Sequence, residues 1–556
     1  GTTVLIYDQT CAAEKRRRRK RGQMVDPDRR VFINEAVCEG CGDCGLASNC
    51  AAIVPVETEL GRKRQIDQSS CNKDYSCLKG FCPSFVTLEG VTPKKGQTRV
   101  EDDQAPLPEP ALPDLAEGYG IVIGGVGGTG VVTIGALLGM AAHLEGKGAA
   151  VLDMTGLAQK GGAVMSHLRI AASPAAIQTV RIAPGGARLL LGCDLVVAGG
   201  KEALATLAPE RGHAVVNTHE MMTGDFTRNA DFSLPSTALR QAIEQTAGPR
   251  AHFVPATRLA SALLGDAIAT NLFMVGFAYQ RGLLPVSAAA IERAIEINRV
   301  AVAMNQSAFR WGRRAALDLA AVEAQATPSS ARPREKPSRT LDELIERRVA
   351  HLTAYQDAAY AERYRKLVDR VRAADSTLGK SALSEAVARY YAKLLAYKDE
   401  YEVARLYTDG AFMVELGRRF EGRPRLELHL APPLLAQRDP ATGHLKKRAY
   451  GPWIFTALRY LARAKGLRGR WLDPFGHSEE RRTERRLIAD YEAVIEELLA
   501  GLSADKYGLA VEIAQIPEQI RGYGHVKQRH LETAKRREAE LLSAFRAPDA
   551  GLTAAA

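Results

Sequence analysis

Three cysteines spaced two residues apart, Cys38-x2-Cys41-x2-Cys44, limit what this chain can fold into more than any other feature. So tight a run leaves no room for a helix turn or a strand between its thiols, and it suits a loop wrapped around a metal cluster. Seven of the nine cysteines lie between Cys38 and Cys82. Two-cluster ferredoxins carry two runs of the form C-x2-C-x2-C-x3-C-P, and the fourth cysteine of each run ligates the other run's cluster. The first run here continues to Cys50 across a longer gap and lacks the proline. The second reads Cys71, Asp74, Cys77 and Cys82-Pro83, with aspartate where a cysteine is expected.

The crossed rule gives one complete thiolate set, Cys38, Cys41, Cys44 and Cys82. It leaves Cys50, Cys71 and Cys77 with Asp74 as fourth candidate. A carboxylate is a harder ligand than a thiolate and suits iron in a sulfide cluster less well. The second site therefore stays open between a 4Fe-4S cluster completed by Asp74 or water and a 3Fe-4S cluster, and a single cluster remains an alternative to two. A zinc site or disulfides compete with this reading, but zinc sites favour two separated pairs of ligands.

The remaining sequence narrows the class. A chain of 556 residues with 46% hydrophobic content holds about three packed domains. Only Cys11 and Cys193 lie outside the cysteine region and no signal peptide is visible, which predicts a reducing, cytoplasmic setting. The chain opens without methionine on a strand-like run, Thr2 to Tyr7, and reads as a piece of a larger sheet. Ile121 to Ala142 carries no charge, yet the glycines crowded between Gly124 and Gly130 argue for a strand-turn-helix unit and against a membrane span. A net charge of +11, with the run Lys15 to Arg21 and pairs at Arg481-Arg482 and Arg485-Arg486, raises nucleic acid as a partner. The plainer reading is a solvated basic surface, since no aromatics interleave with these charges.

Two proline-rich stretches, Gln104 to Pro113 and Thr327 to Arg339, divide the chain. Between them strand and helix alternate. Gly120 to Ile123, Ala149 to Leu152, Leu195 to Ala198 and Ala214 to Asn217 read as strands of a parallel sheet, and Val131 to Leu144 as a buried helix. After residue 340 the pattern is mainly helical, opened by the capping box Thr340-x-x-Glu343 and including an amphipathic face from Leu487 to Leu499 that ends at Gly501. Gly379-Lys380-Ser381 lacks the first glycine of a phosphate loop and carries no site.

Gly125-x-Gly127-Gly128-x-Gly130 follows a strand and opens a helix, and Asp153 ends the next strand, as in a dinucleotide-binding fingerprint. This pattern supports an NAD or flavin dehydrogenase fused to a ferredoxin as an alternative function. The same glycines also serve close packing of a helix on a sheet.

Larger stretches carry a family resemblance. Cys38 to Cys44, Glu57 to Asp74 and Gly80 to Phe85 resemble the long fused form of indolepyruvate ferredoxin oxidoreductase. Gly124 to Gly130 with Asp153 to Gly162 is similar to the gamma-type domain of 2-oxoacid ferredoxin oxidoreductases, and Tyr7 to Arg16 resembles the tail of that family's thiamine-diphosphate domain. The resemblance implies a multidomain α/β plus α chain. Residues 1–29 would be that tail, 30–95 a ferredoxin-like iron–sulfur domain and 96–117 a linker. Residues 118–326 would be a Rossmann-like parallel α/β gamma-type domain, 327–339 a second linker and 340–556 a mainly helical C-terminal domain.

It further implies oxidative decarboxylation of an aryl 2-oxo acid to an acyl-CoA with reduction of external ferredoxin. Thiamine diphosphate and Mg would sit in domains upstream or in another chain, coenzyme A would be co-substrate, and the assembly would be a homo-oligomer without nucleic acid or membrane. No catalytic residue is expected here. The glycine loop then takes a packing role or contacts coenzyme A, and Gln159, Lys160 and Gly161, followed by Gly162, form the loop expected to face the catalytic interface.

Overall fold

A computed structural model of the chain describes every residue except 1–2, 7, 9, 95–105, 128, 157–161, 223, 327–336, 433–435, 441–442 and 548–556. In chain order its strands are β1 (Arg29–Ile33), β2 (Ile53–Thr58), β3 (Gly61–Ile66) and β4 (Phe85–Pro93). Then come β5 (Tyr119–Val126), β6 (Gly148–Thr155), β7 (Ala163–Ala171), β8 (Leu189–Gly192), β9 (His213–Asn217) and β10 (Ala251–Val254), and finally β11 (Phe420–Leu430) and β12 (Arg448–Tyr450). The chain divides into two compact units. One comprises residues 1–26, 69–72 and 93–332, the other 27–68, 73–92 and 333–556.

In the first unit six strands form one sheet in the order β10-β9-β8-β5-β7-β6. β5, β8, β9 and β10 run parallel, as apolar strands buried on both faces do. β7 runs antiparallel to both β5 and β6, so the expected all-parallel sheet is corrected to a mixed one. Hydrophobic periodicity reports burial, not direction, and it passes over a strand that returns as a hairpin partner of its predecessor. The helix Val131–Leu144 has the expected bounds. The run Leu195 to Ala198 is not a strand but a short helix, and the strand is Leu189–Gly192. Asp194 starts that helix, its Oδ1 accepting from Val197 N at 2.8 Å, which is the capping signal that the apolar run masked.

The expected strand at the amino end is also corrected, since residues 3–6 carry no regular structure. The basic run behind it is helical, Ala12–Lys20, and part of it is structural: Arg16 donates to Ser70 O (3.2 Å) and Arg19 to Asn72 O (2.5 Å). Residues 106–113 are docked rather than loose, because Gln280 Nε2 and Arg313 Nη2 both donate to Pro108 O.

The helices Thr270–Gln280 and Val302–Leu317 cross where each has a glycine. A Cβ on Gly276 would stand 1.9 Å from Phe309 O, and one on Gly312 would stand 1.9 Å from Phe273 O. Gly276→Ala or Gly312→Ala therefore forces these fully packed helices apart, and either is expected to destabilise this unit by about 1–3 kcal/mol or more. Chemical denaturation followed by the fluorescence of Trp311, fully buried on the second helix, checks it.

In the second unit β1 pairs antiparallel with β4, and the sheet continues β1-β4-β11-β12, so strands from both ends of the chain complete it. β2 and β3 form a separate hairpin. The remainder is helical. Thr340 Oγ1 accepts from Glu343 N (3.2 Å), as the capping box predicts, while the Glu343 carboxylate reaches one residue further back, to Arg339 N (2.9 Å). The amphipathic helix is Glu479–Ala500, with Gly501 after it. Among the described residues no helix is long and apolar enough to cross a membrane.

Candidate functional site: a four-cysteine cradle

The loop after β1 turns through Gly40 and Gly42, both with positive φ, and leads into the short helix Asp43–Ser48. Neither glycine is replaceable by an ordinary L residue without strain, and a Cβ on Gly40 would also meet Arg62 O at 2.2 Å. Cys38 precedes this turn, Cys41 lies within it and Cys44 follows it. Cys82 arrives from the segment before β4, where Gly80 lets the backbone pass against Cys44, its missing Cβ 2.7 Å from Cys44 Cα. The four cysteines predicted as one set line a single small cavity of about 10 Å³, with Arg64, Phe81, Ser84 and Phe85 among the other lining residues.

The surroundings suit thiolates. Gly40 N–H donates to Cys38 Sγ at 3.3 Å, and Cys82 Sγ lies 2.9 Å from Ser84 Oγ. Arg64 is fully buried beside the cavity. Lys447 donates to Gly80 O and to Cys82 O (3.3 Å), and Lys398 donates to Cys38 O (3.1 Å) while pairing with Glu39. Burial pushes the thiols of Cys41, Cys44 and Cys82 up, and for Cys41 and Cys44 the neighbouring cysteine charges push further. Thiols crowded in this way ionise together only around a compensating cation, and an iron–sulfur cluster supplies one. The donor set fits that group.

Among the described residues no three His, Cys, Asp or Glu side chains converge as ligands of one metal ion. A tetrahedral zinc site holds its thiolates about 2.3 Å from one centre, whereas a cluster gives each iron its own thiolate and spreads its ligands around a larger body.

The second candidate set is divided between the two units. Cys77 is buried in the 3-10 turn Ser76–Lys79, Cys50 is half-buried, and Cys71 belongs to the segment 69–72 that groups with the other unit. Asp74 is exposed, and its Oδ1 accepts from Ser76 N (3.2 Å) and lies 3.0 Å from Ser76 Oγ, capping that turn. Of the lone cysteines, Cys11 is exposed and Cys193 is buried, its thiol pushed up to about 12 by burial.

In the first unit the glycine loop is tightly packed. A Cβ on Gly125 would meet Val131 Cγ2 at 2.7 Å, and one on Gly130, at φ +101°, would meet Asn271 Nδ2 at 2.9 Å. Gly127 N donates to Gly162 O at 2.8 Å. Gly128, Gln159, Lys160 and Gly161 lie outside the described residues. Asp153 is on the edge strand β6, and its cross-strand partner Ser166 on β7 pairs in turn with Ile123 on β5. Two strand spacings, about 10 Å, thus separate Asp153 from the strand that carries the loop. The dinucleotide fingerprint places its acidic residue at the end of the neighbouring strand, whereas here β7 stands between the two.

Arg64, Lys447 and Lys398 carry no mark of a site in the cysteine spacing above. Ser84 alone has a local signal, two residues after a candidate ligand; the cations reach the cradle from β3 and from beyond residue 340.

Residues 120–315 match the family described as pyruvate ferredoxin/flavodoxin oxidoreductase, and residues 341–540 match a family of unknown function, DUF6537. No curated protein matches the chain. Among solved structures it is similar to pyruvate oxidoreductase subunit PORC of Thermotoga maritima, with 21% identity, a TM-score of 0.27, and 35% of this chain and 96% of that one covered. A second is the gamma subunit of keto/oxoacid ferredoxin oxidoreductase of Geobacter sulfurreducens PCA, with 22% identity, a TM-score of 0.26, and 36% and 98% covered. A third is the 2-oxoglutarate:ferredoxin oxidoreductase of Magnetococcus marinus, solved with 2-oxoglutarate, coenzyme A and succinyl-CoA bound, with 14% identity, a TM-score of 0.27, and 43% and 37% covered. At such TM-scores the structural likenesses are local, and the sequence match carries the weight. The chain thus joins a segment similar to pyruvate ferredoxin/flavodoxin oxidoreductases, residues 120–315, to a helical segment similar to a family of unknown function, residues 341–540.

Proposed function

We propose that the chain is the electron-transfer and gamma-type portion of an arylpyruvate ferredoxin oxidoreductase of the indolepyruvate class, holding a 4Fe-4S cluster on Cys38, Cys41, Cys44 and Cys82. The observation that supports this most directly is the meeting of those four cysteines, from two separated segments, around one cavity. Bound there, a cluster accepts and releases single electrons at low potential. The chain's own residues hold and shield it. The Gly40 N–H and the Ser84 hydroxyl meet thiolate sulfurs, Arg64 and Lys447 offset negative charge, and Phe81 and Phe85 help keep water out. Admitting the cluster requires the four side chains to swing outward from their present small cavity. Cys50, Cys71 and Cys77 form the second set. An exposed Asp74 already engaged by Ser76 favours a 3Fe-4S cluster there. Decarboxylation on thiamine diphosphate with Mg and acyl transfer to coenzyme A are assigned to the domains with which this portion works, and external ferredoxin is the acceptor.

Anaerobic reconstitution of the full chain, with iron and sulfide quantified and low-temperature EPR recorded before and after dithionite, tests the proposal. A reduced 4Fe-4S signal is expected, with a 3Fe-4S signal in the oxidised sample. Zinc without sulfide would sink it.

A further inference from the structure

Helix Ile454–Arg463 has two faces of opposite character. Ile454 and Leu458 are buried, with Phe455, Leu461 and Ala462 packed beside them, in the same core as Phe32, Val37 and Val86. Val37 and Val86 adjoin Cys38 and Phe85 of the cysteine cradle. On the other face Trp453 and Tyr460, seven positions apart and so on one side of the helix, are 62% and 67% exposed. Arg459 and Arg463 are exposed on the same side. Most large aromatics of this chain are buried, so two on one outward stripe stand out.

Some exposed arginines of the helical region meet carboxylates, as Arg363 does Glu492, Arg372 does Asp342 and Arg546 does Glu497. Others, such as Arg482 and Arg486, carry charge without a bonded partner among the described residues but have no exposed aromatic pair beside them. Among the described residues, Arg459 and Arg463 make no side-chain hydrogen bond or ion pair. The stripe is also tied to the cradle by a short length of chain. Lys447, bonded to Cys82 O, stands immediately before β12, and Tyr450 at the end of β12 packs edge-on against Trp453 at 6.0 Å. A helix with its side chains is about 10–12 Å across, so the outward face lies roughly one helix diameter beyond the core that carries the cradle.

We propose that this face, Trp453, Tyr460, Arg459 and Arg463, is the docking surface for an acidic one-electron carrier protein; the proposal rests on the electron-transfer reading above. Exposed aromatic and arginine side chains supply the anchors at protein interfaces. Unpaired surface cations steer an acidic partner and raise its association rate. Part of the segment matching the family of unknown function thereby serves to present the cluster to its acceptor.

The test uses the full chain and a ferredoxin of net negative charge as probe, with binding and reduction measured separately. The double substitution Arg459→Glu/Arg463→Glu is expected to weaken binding about tenfold or more at low salt and to flatten its salt dependence. Trp453→Ser is expected to weaken it at all salt concentrations. Arg482→Glu/Arg486→Glu, the same charge change on helix Glu479–Ala500, is the control and should alter binding little. Reduction of methyl viologen by the dithionite-treated chain should be unchanged in every variant. Equal ferredoxin binding by the Arg459/Arg463 variant and the control would overturn the proposal, as would a loss confined to binding of a single-stranded oligonucleotide. If ferredoxin binds and the substitutions abolish it in a chain that carries no cluster, the surface stands and the electron-transfer reading falls.

Discussion

Cys82→Ala is expected to abolish the 4Fe-4S signal of the reconstituted chain, and Cys77→Ala to leave it. The sequence neighbours of Cys82 would suggest the reverse grouping, since Cys71, Cys77 and Cys82 form one run. The fold assigns Cys82 to the cavity lined by Cys38, Cys41 and Cys44. Losing one of four thiolates removes more than a ligand. Arg64, fully buried beside the cavity, and Lys447, bonded to the backbone of Gly80 and Cys82, would keep their charges with fewer anions to balance them. A buried charge left without its partner costs about 3–5 kcal/mol, so the variant should also unfold at lower denaturant than the reconstituted parent. Iron and sulfide analysis with EPR of Cys82→Ala and Cys77→Ala side by side decides the matter. Retention of the signal in Cys82→Ala, or its loss from Cys77→Ala alone, would show that the two runs do not cross.

The spacing rule already places Cys82 with Cys38, Cys41 and Cys44, the four that line one cavity, and the bounds of helix Val131–Leu144 were legible because glycine before it and charge after it punctuate an apolar run. Direction and long-range pairing were not. β7 and β5 share an alternating apolar pattern, and nothing local states which way β7 runs. The apolar run Leu195 to Ala198 was too short for periodicity to separate strand from helix, so Asp194 decided it. β11 and β12 complete a sheet begun at β1, about 390 residues earlier, and no short motif encodes such a pairing. The site divides the same way. Its thiols are named by spacing, but Arg64 on β3 and Lys447 before β12 are brought to them only by the fold. The fingerprint Gly125-x-Gly127-x-x-Gly130 with Asp153 was legible, but the strand β7 that stands between Asp153 and the strand carrying the loop was not.

Arg468→Met should be among the most destabilising single changes in the helical region. Arg468 Nε and Nη2 meet both oxygens of Asp399, at 2.5 and 3.0 Å, and the two side chains are only 6% and 3% exposed. Its Nη1 also donates to Tyr355 O and Gln356 Oε1, both at 2.8 Å, and the guanidinium lies 3.7 Å from the centre of the Tyr355 ring. Asp399 in turn caps the helix Glu400–Thr408 by accepting from Glu402 N at 2.8 Å. One guanidinium thus joins the end of helix Leu341–Tyr355 to the start of the next but two, Glu400–Thr408, through a buried fork that a point charge could not reproduce. Removing it strands the Asp399 carboxylate among apolar and aromatic groups, at about 3–5 kcal/mol. Arg468→Lys keeps the charge but loses the planar fork and should fall between parent and Arg468→Met. Adding Asp399→Asn to Arg468→Met should recover part of the loss, because the stranded charge is then gone while the amide oxygen still accepts from Glu402 N. Chemical denaturation followed by the fluorescence of the exposed Trp471, three residues from Arg468, reads this unit. A loss below about 1 kcal/mol, the range of exposed pairs, would mean that solvent reaches Asp399 and that the fork is a surface contact.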